Sequence, residues 1–387
     1  MPTQSRGHGT RRGRVNLRER QRGPAIDTLP AQRTIPADDL LIWSRPAAKV
    51  VNSALLPSNG RPNPVVVGGL VICSLFSPGR LTALDRQTGQ RRWGGRLRYL
   101  GPNSVYYAPE PDLLYASTSQ ELLALELASG TLRWRFCPYG RKGETLYSSP
   151  TVSDGRLFIG DVRGRVNCLA ADTGERLWRA QTPPGKFDAV NSDAVADDGV
   201  VVVATTTSWA LGFEAATGRE LWCQHLDGPC VHCRPGGART ALLWIQRSAY
   251  LFSVPDGQLH HRWTAPQGSQ YHSACVAGEL VLFVTDHHPE PFFQLQTFRG
   301  GTELYRQRYP RFIGPVLRYE PATGRVYEAT YGLGILEPQS GTREVVIRLP
   351  RDDREPLSAE EIHPPFVDAG VVYVINGLGR VFALRHP

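Results

Sequence analysis

The sequence predicts an all-β chain folded as an eight-bladed β-propeller, with four antiparallel strands per blade. Three observations carry this. Turn-closing glycines recur at Gly89, Gly130, Gly174, Gly218, Gly257, Gly301 and Gly341, at intervals of 39 to 44 residues. A tryptophan stands four residues after each of the first four, as Trp93, Trp134, Trp178 and Trp222. Each interval divides into short aliphatic and β-branched runs separated by Gly-containing turns. Four strands in a unit of about 40 residues mark a propeller blade rather than a helical solenoid. No segment shows the 3.6-residue apolar period of an amphipathic helix.

The elements follow in order. Residues 1–37 read as a disordered Arg-rich tail and 38–387 as one propeller. Leu40–Leu41–Ile42–Trp43 is an orphan strand with a tryptophan at the outer-strand position. The third unit shows the blade plan: Ser149–Val152, a turn at Asp154–Gly155, Arg156–Gly160, a turn at Arg163–Gly164, Val166–Ala170, a turn at Asp172–Thr173–Gly174, then an outer strand with Trp178. Gly and Asp-Gly supply the positive φ that such tight hairpins need. The first turn recurs as Gly68–Gly69, Asp198–Gly199, Ala277–Gly278, Thr323–Gly324 and Ala369–Gly370. The last third strand, Val381–Leu384, reaches the C-terminus before its outer strand. The strand around Trp43 is therefore expected to close that blade, giving eight and covering exposed sheet edges.

Ala83–Leu84–Asp85–Arg86–Gln87–Thr88–Gly89, ending at Trp93, resembles the tryptophan-docking repeat of pyrroloquinoline-quinone-type propellers. Ala124, Glu126, Gly130 and Trp134 form a second copy. Units five to seven keep the turn but carry His261, Tyr305 and Val345 at the tryptophan position. In such a repeat the small residue lets the next blade approach, and the indole buries roughly 150–250 Å² between blades. The resemblance implies two contrasting functions. Quinone-dependent dehydrogenases of the superfamily oxidise alcohols or sugars, but this chain has no adjacent cysteine pair and no C-x-x-C-H haem attachment. In size the chain is closer to the non-enzymatic branch, the minimal propeller of the outer-membrane-assembly lipoprotein type. A non-catalytic interaction or sensing scaffold is expected, with no cofactor. The alternative is a quinone- or metal-dependent enzyme, or a small-ligand binder, using the channel mouth.

Composition narrows the partners. No run is long and apolar enough for a membrane span, which needs roughly 18 residues. No apolar stretch follows the N-terminal arginines, so no export signal is expected. Seven irregularly spaced cysteines argue against a disulfide framework and for a reducing compartment. The expected location is the cytoplasm, or the periplasm if translation starts elsewhere. Of the formal net charge of +8, residues up to Pro36 carry eight arginines against Glu19 and Asp27 (+6), leaving +2 for the body. The tail is a candidate for anionic contact with nucleic acid or lipid; the near-neutral body is not. Three lysines against 41 arginines fit a GC-rich bacterial genome. Other proteins are the expected partners of a monomer.

Three groups are candidate sites. Cys230, His232 and Cys233 combine thiols and imidazole as zinc sites do, and core or loop roles compete. Asp286, His287 and His288 offer oxygen and nitrogen ligands for a divalent metal, against a plain solvated loop. Asn103, Tyr147, Asn191, His272 and His363 precede innermost strands and are expected to ring the channel mouth. Loop faces are where propellers bind, although wet mouths are polar without any ligand.

Overall fold

The computed structural model describes residues 31–47, 64–75, 79–97, 100–118, 120–138, 146, 148–183, 189–230, 232–287, 292–310, 316–330, 332–350 and 362–387. Among these residues the strands form eight sheets, the blades of a ring, and the single helical element is a 3-10 turn at Ala37–Asp39. Blade 3 follows the expected plan, with Thr151–Ser153, Arg156–Gly160, Arg165–Ala170 and Arg176–Gln181 side by side and antiparallel. Middle strands are buried on both faces because a blade packs on either side: all five residues of Val200–Ala204 are buried. That is why they read as continuous apolar runs rather than alternating ones.

The ring closes as expected. Leu41–Pro46 pairs antiparallel with Arg380–Arg385, placing Trp43 opposite Ala383 in blade 8. Trp43 then rests on Gly89 of blade 1 and donates its indole N–H to the Arg86 carbonyl at 2.9 Å. The same contact steps round the ring. Trp93, Trp134, Trp178 and Trp222 donate to the carbonyls of Leu127, Ala171, Ala215 and Val254 at 2.9, 3.1, 3.0 and 2.9 Å. Each indole lies flat on the turn glycine of the next blade; a Cβ at Gly174 would come within 2.6 Å of the Trp134 ring. The turn itself is held by Asp85, whose Oδ1 accepts the Gln87 and Thr88 N–H groups at 3.0 and 2.9 Å.

Where the tryptophan is missing, other residues fill the space. Trp263, 5% exposed, packs against Phe283 at 5.3 Å between blades 5 and 6, while His261 faces Gly300. Tyr305 lies against Gly341 between blades 6 and 7. Blade 7 meets the C-terminus through a hydrogen bond of 2.7 Å between Tyr327 Oη and His386 Nε2. Blade 6 has the longest strands, Ser269–Ala277, Leu280–His287, Phe292–Arg299 and Thr302–Pro310. Its outer hairpin pairs Arg299 with Thr302, so the left-handed glycine is Gly300 (φ 57°), one residue before the expected Gly301. Strands paired to their ends leave only a two-residue turn.

Blade 7 departs twice from the repeat. It takes a fifth strand, Arg33–Pro36, parallel to its outer strand Arg343–Arg348. The expected boundary at residue 37 thus falls inside a segment that packs on the propeller; residues 1–30 of the tail lie outside the described residues. Blade 7 also encloses an ion pair. Glu328 and Arg343 are each 1% exposed and meet at 2.8 Å across Gly334, whose missing side chain leaves the room.

Candidate functional site

Innermost strands of blades 1 to 5 and 8 line an axial channel of about 510 Å³. Its wall is largely apolar, with Val65 and Val67 from blade 1, Val105 from blade 2, Val152 from blade 3, Val195 from blade 4 and Phe366 from blade 8. Asp193 and Arg234 add charge. Arg318 reaches over the Phe366 ring at 5.7 Å and pairs with Glu320 at 3.2 Å, and burial lowers its pKa. The volume lies within the roughly 300–1,000 Å³ of ordinary ligand pockets.

The polar groups at the mouth are largely engaged with backbone, within a blade or between neighbouring blades. Ser148 Oγ accepts the Gly160 N–H at 2.9 Å and donates back to the Gly160 carbonyl at 3.3 Å. Ser192 does the same with Ala204, at 2.8 and 3.0 Å. Asp193 Oδ1 accepts the Ser149 N–H at 2.8 Å, tying blade 4 to blade 3. Ser273 Oγ accepts the Leu317 N–H at 3.2 Å, tying blade 6 to blade 7. These bonds satisfy backbone groups that would otherwise be buried unpaired.

The candidate mouth residues divide accordingly. His363 is 5% exposed, and burial pushes its pKa down to about 4. His272 stands edge-on to Phe293 at 5.2 Å. Asn191 precedes the inner strand Val195–Asp197, its Oδ1 enclosed without a hydrogen-bond partner among the described residues. Asn103 lies on the strand Leu100–Ala108, its side chain outside the described residues, as is Tyr147. Most of the channel wall lies inside the strands, with Asp193 and Ala194 just before one.

Among the described residues the cysteine and histidine groups do not come together as a set of three or more ligands. Cys230 Sγ points at the His232 and Trp244 carbonyls at 3.2 and 3.4 Å, and burial pushes its thiol up to about 12. Burial also holds the Cys233 thiol well above its usual value. His232 stacks on Trp244 at 4.6 Å; burial and then the Arg234 charge depress its pKa to about 4, with His272 adding to the effect. Asp286 and His287 are neighbours on one strand, so their side chains leave opposite faces. His287 stacks on Phe292 at 4.3 Å and shares a hydrogen bond of 3.2 Å with Thr285. His288 lies outside the described residues. No group of three or more possible metal ligands comes together among the described residues.

Two histidines with lowered pKa, the buried His363 and the half-buried His232, make stability acid-sensitive. Both fold with pKa about 4, below the ordinary 6.5. As pH falls from about 6.5 towards 4, the unfolded chain takes up protons that the native state refuses, so stability is lost in that window. The two together contribute a slope of at most about 2.7 kcal/mol per pH unit. Urea unfolding at pH 7 and pH 5 is expected to show a smaller loss for a His232→Gln/His363→Gln variant than for the natural chain.

A family model described as outer membrane protein assembly factor BamB matches residues 105–330. The chain is 34% identical over 125 residues to the serine/threonine-protein kinase AfsK of Streptomyces griseus, a match covering 31% of this chain and 15% of the kinase. It is 28% identical over 171 residues to outer membrane protein assembly factor BamB of Burkholderia pseudomallei, covering 41% of this chain and 43% of that protein. The chain thus spans less than half the length of either relative. The fold is shared with quinohemoprotein alcohol dehydrogenase from Comamonas testosteroni, at a TM-score of 0.65, 15% identity, and coverage of 92% of this chain and 78% of that one. The family model matches more than half of the chain, and the repeat, closure and docking geometry agree with it: the chain belongs to the propeller family described as outer membrane protein assembly factor BamB.

Proposed function

We propose that the protein is a non-catalytic interaction scaffold whose docking site for a partner protein is the channel and its mouth. One observation carries the reading: mouth hydroxyls and Asp193 are engaged with blade backbone, while the wall behind them is accessible and apolar. Such a site suits a bulky apolar side chain inserted by a partner, the usual form of an interface anchor. The name carried by the relatives, outer membrane protein assembly factor, supports the partner-binding reading and favours the periplasmic location over the cytoplasmic one. Affinity capture from the cell envelope with the natural chain and with Ala196→Trp, which fills the channel, tests it. A stoichiometric protein partner lost with the tryptophan variant is the expected result. Equal capture by both proteins would place the docking surface elsewhere.

The second reading is a small-ligand binder or quinone- or metal-dependent enzyme at the channel mouth. The channel volume and the fold shared with a quinohemoprotein dehydrogenase favour it. Native mass and metal analysis of the purified protein separate the two. A stoichiometric quinone or metal would overturn the scaffold reading.

A further inference from the structure

The outer strand of blade 7 is built like an interior strand. One residue after the tryptophan position, the first six units carry Gly94, Arg135, Arg179, Cys223, Arg262 and Arg306, and the four arginines are exposed. Charged side chains there blunt an open sheet edge against further pairing. Blade 7 has Val346 at this position, inside the run Val345–Val346–Ile347, with Val346 3% and Ile347 0% exposed. Of the charges on this strand, Arg343 is turned inward onto Glu328 and Glu344 pairs with Arg325 at 2.7 Å, while Arg348 ends it. An apolar strand buried on both faces needs a neighbour for its outer N–H and C=O groups.

The chain supplies that neighbour from its own N-terminal side. Arg33, Thr34, Ile35 and Pro36 pair with Val345, Val346, Ile347 and Arg348, the one parallel pairing among the described strands. Gln32 N–H adds a bond of 3.0 Å to the Arg343 carbonyl. The hold is short. Within this strand only Ile35 is buried, at 4% exposure, while Arg33, Thr34 and Pro36 are exposed. Ala37–Asp39 and the closing strand Leu41–Pro46 follow directly, so the segment is tethered beside its site and docks at little loop-closure cost.

We propose that the outer edge of blade 7 is a strand-acceptor site for a partner protein, and that Arg33–Pro36 is its built-in occupant, which the partner displaces. The occupant defines the partner: an extended segment parallel to Arg343–Arg348, with a β-branched aliphatic residue opposite Ile347 between polar neighbours. Backbone bonds supply the affinity in strand addition and the side-chain alternation the selectivity. The proposal stands apart from the channel reading, because this edge lies on the outer wall of the ring.

The test uses the full chain with Ile35→Asp, which removes the buried anchor and leaves the closing strand intact; Ile35→Ser serves if the aspartate does not fold. The probe is a labelled peptide of residues 31–37, with an Ile-to-Asp peptide as control. Amides of residues 344–348 are expected to exchange faster in the variant and to regain protection with the peptide. The peptide is expected to bind the variant at least about tenfold more tightly than the natural chain, since the tethered strand competes, and adding Val346→Arg should abolish the binding. Amides that stay protected in the variant, or that open without taking up the peptide, overturn the proposal. Self-association of the variant that the peptide does not reverse also overturns it, in favour of contact between copies.

Discussion

Replacing Trp222 by alanine is expected to lower the unfolding free energy by about 3–5 kcal/mol, the range for deleting a large buried aromatic. Trp222 is 8% exposed, faces Phe252 at a centroid distance of 6.1 Å and donates to the Val254 carbonyl at 2.9 Å. The substitution removes that packing and leaves the carbonyl without its donor. Gly257 answers from the other side of the interface. It holds a φ of 68°, and a Cβ there would overlap the indole, so Gly257→Ala is also expected to destabilise. In the double variant the new methyl enters the vacated space and the two losses add to less than their sum, with a coupling of about 0.5–3 kcal/mol. Urea unfolding of the four proteins measures the cycle; strict additivity would mean that the two residues do not share the interface.

Glu328→Ala is expected to cost a similar amount, about 3–5 kcal/mol, because it strands the buried Arg343 guanidinium. Both side chains are 1% exposed, and Arg343 binds Glu328 Oε2 through Nε and Nη2 at 3.0 and 2.8 Å. The pair is not a large net source of stability, since two ions were desolvated to make it. Replacing both, as Glu328→Leu with Arg343→Met, should therefore recover most of the loss. Gly334→Ala should mimic the single change in part, since its Cβ would sit 2.8 Å from Glu328 Oε2. Thermal unfolding of the three variants reads the order. A double replacement as unstable as Glu328→Ala would show the carboxylate to be needed for more than pairing.

Legibility followed periodicity. Packing of Trp93, Trp134, Trp178 and Trp222 between adjacent blades was readable because the residue recurs at the same spacing; that each lies on the next blade's turn glycine was not. Closure by Trp43 was readable from what the C-terminal blade lacked. Blade 6 shows where the reading slipped: its strands pair further than those of other blades, which moved the turn glycine from Gly301 to Gly300. The candidate site was less legible. Asn191 and His363 precede inner strands while His272 lies within one, and the sequence did not show that His363 is buried or that Ser148 and Ser192 are engaged by backbone. Cys230 and Cys233 looked close enough to share an ion. Their spacing said nothing of the burial that raises the pKa of both thiols.

By itself the sequence determined the repeat, the strand count per blade, the eight blades and the closure. Those properties follow from local turn chemistry and from side chains whose contacts repeat with the chain. Only the tertiary structure decided which residues line the channel, that Glu328 and Arg343 meet across Gly334, and that Arg33–Pro36 covers blade 7. Each of those depends on a single juxtaposition of distant segments, and a contact made once leaves no period in the sequence.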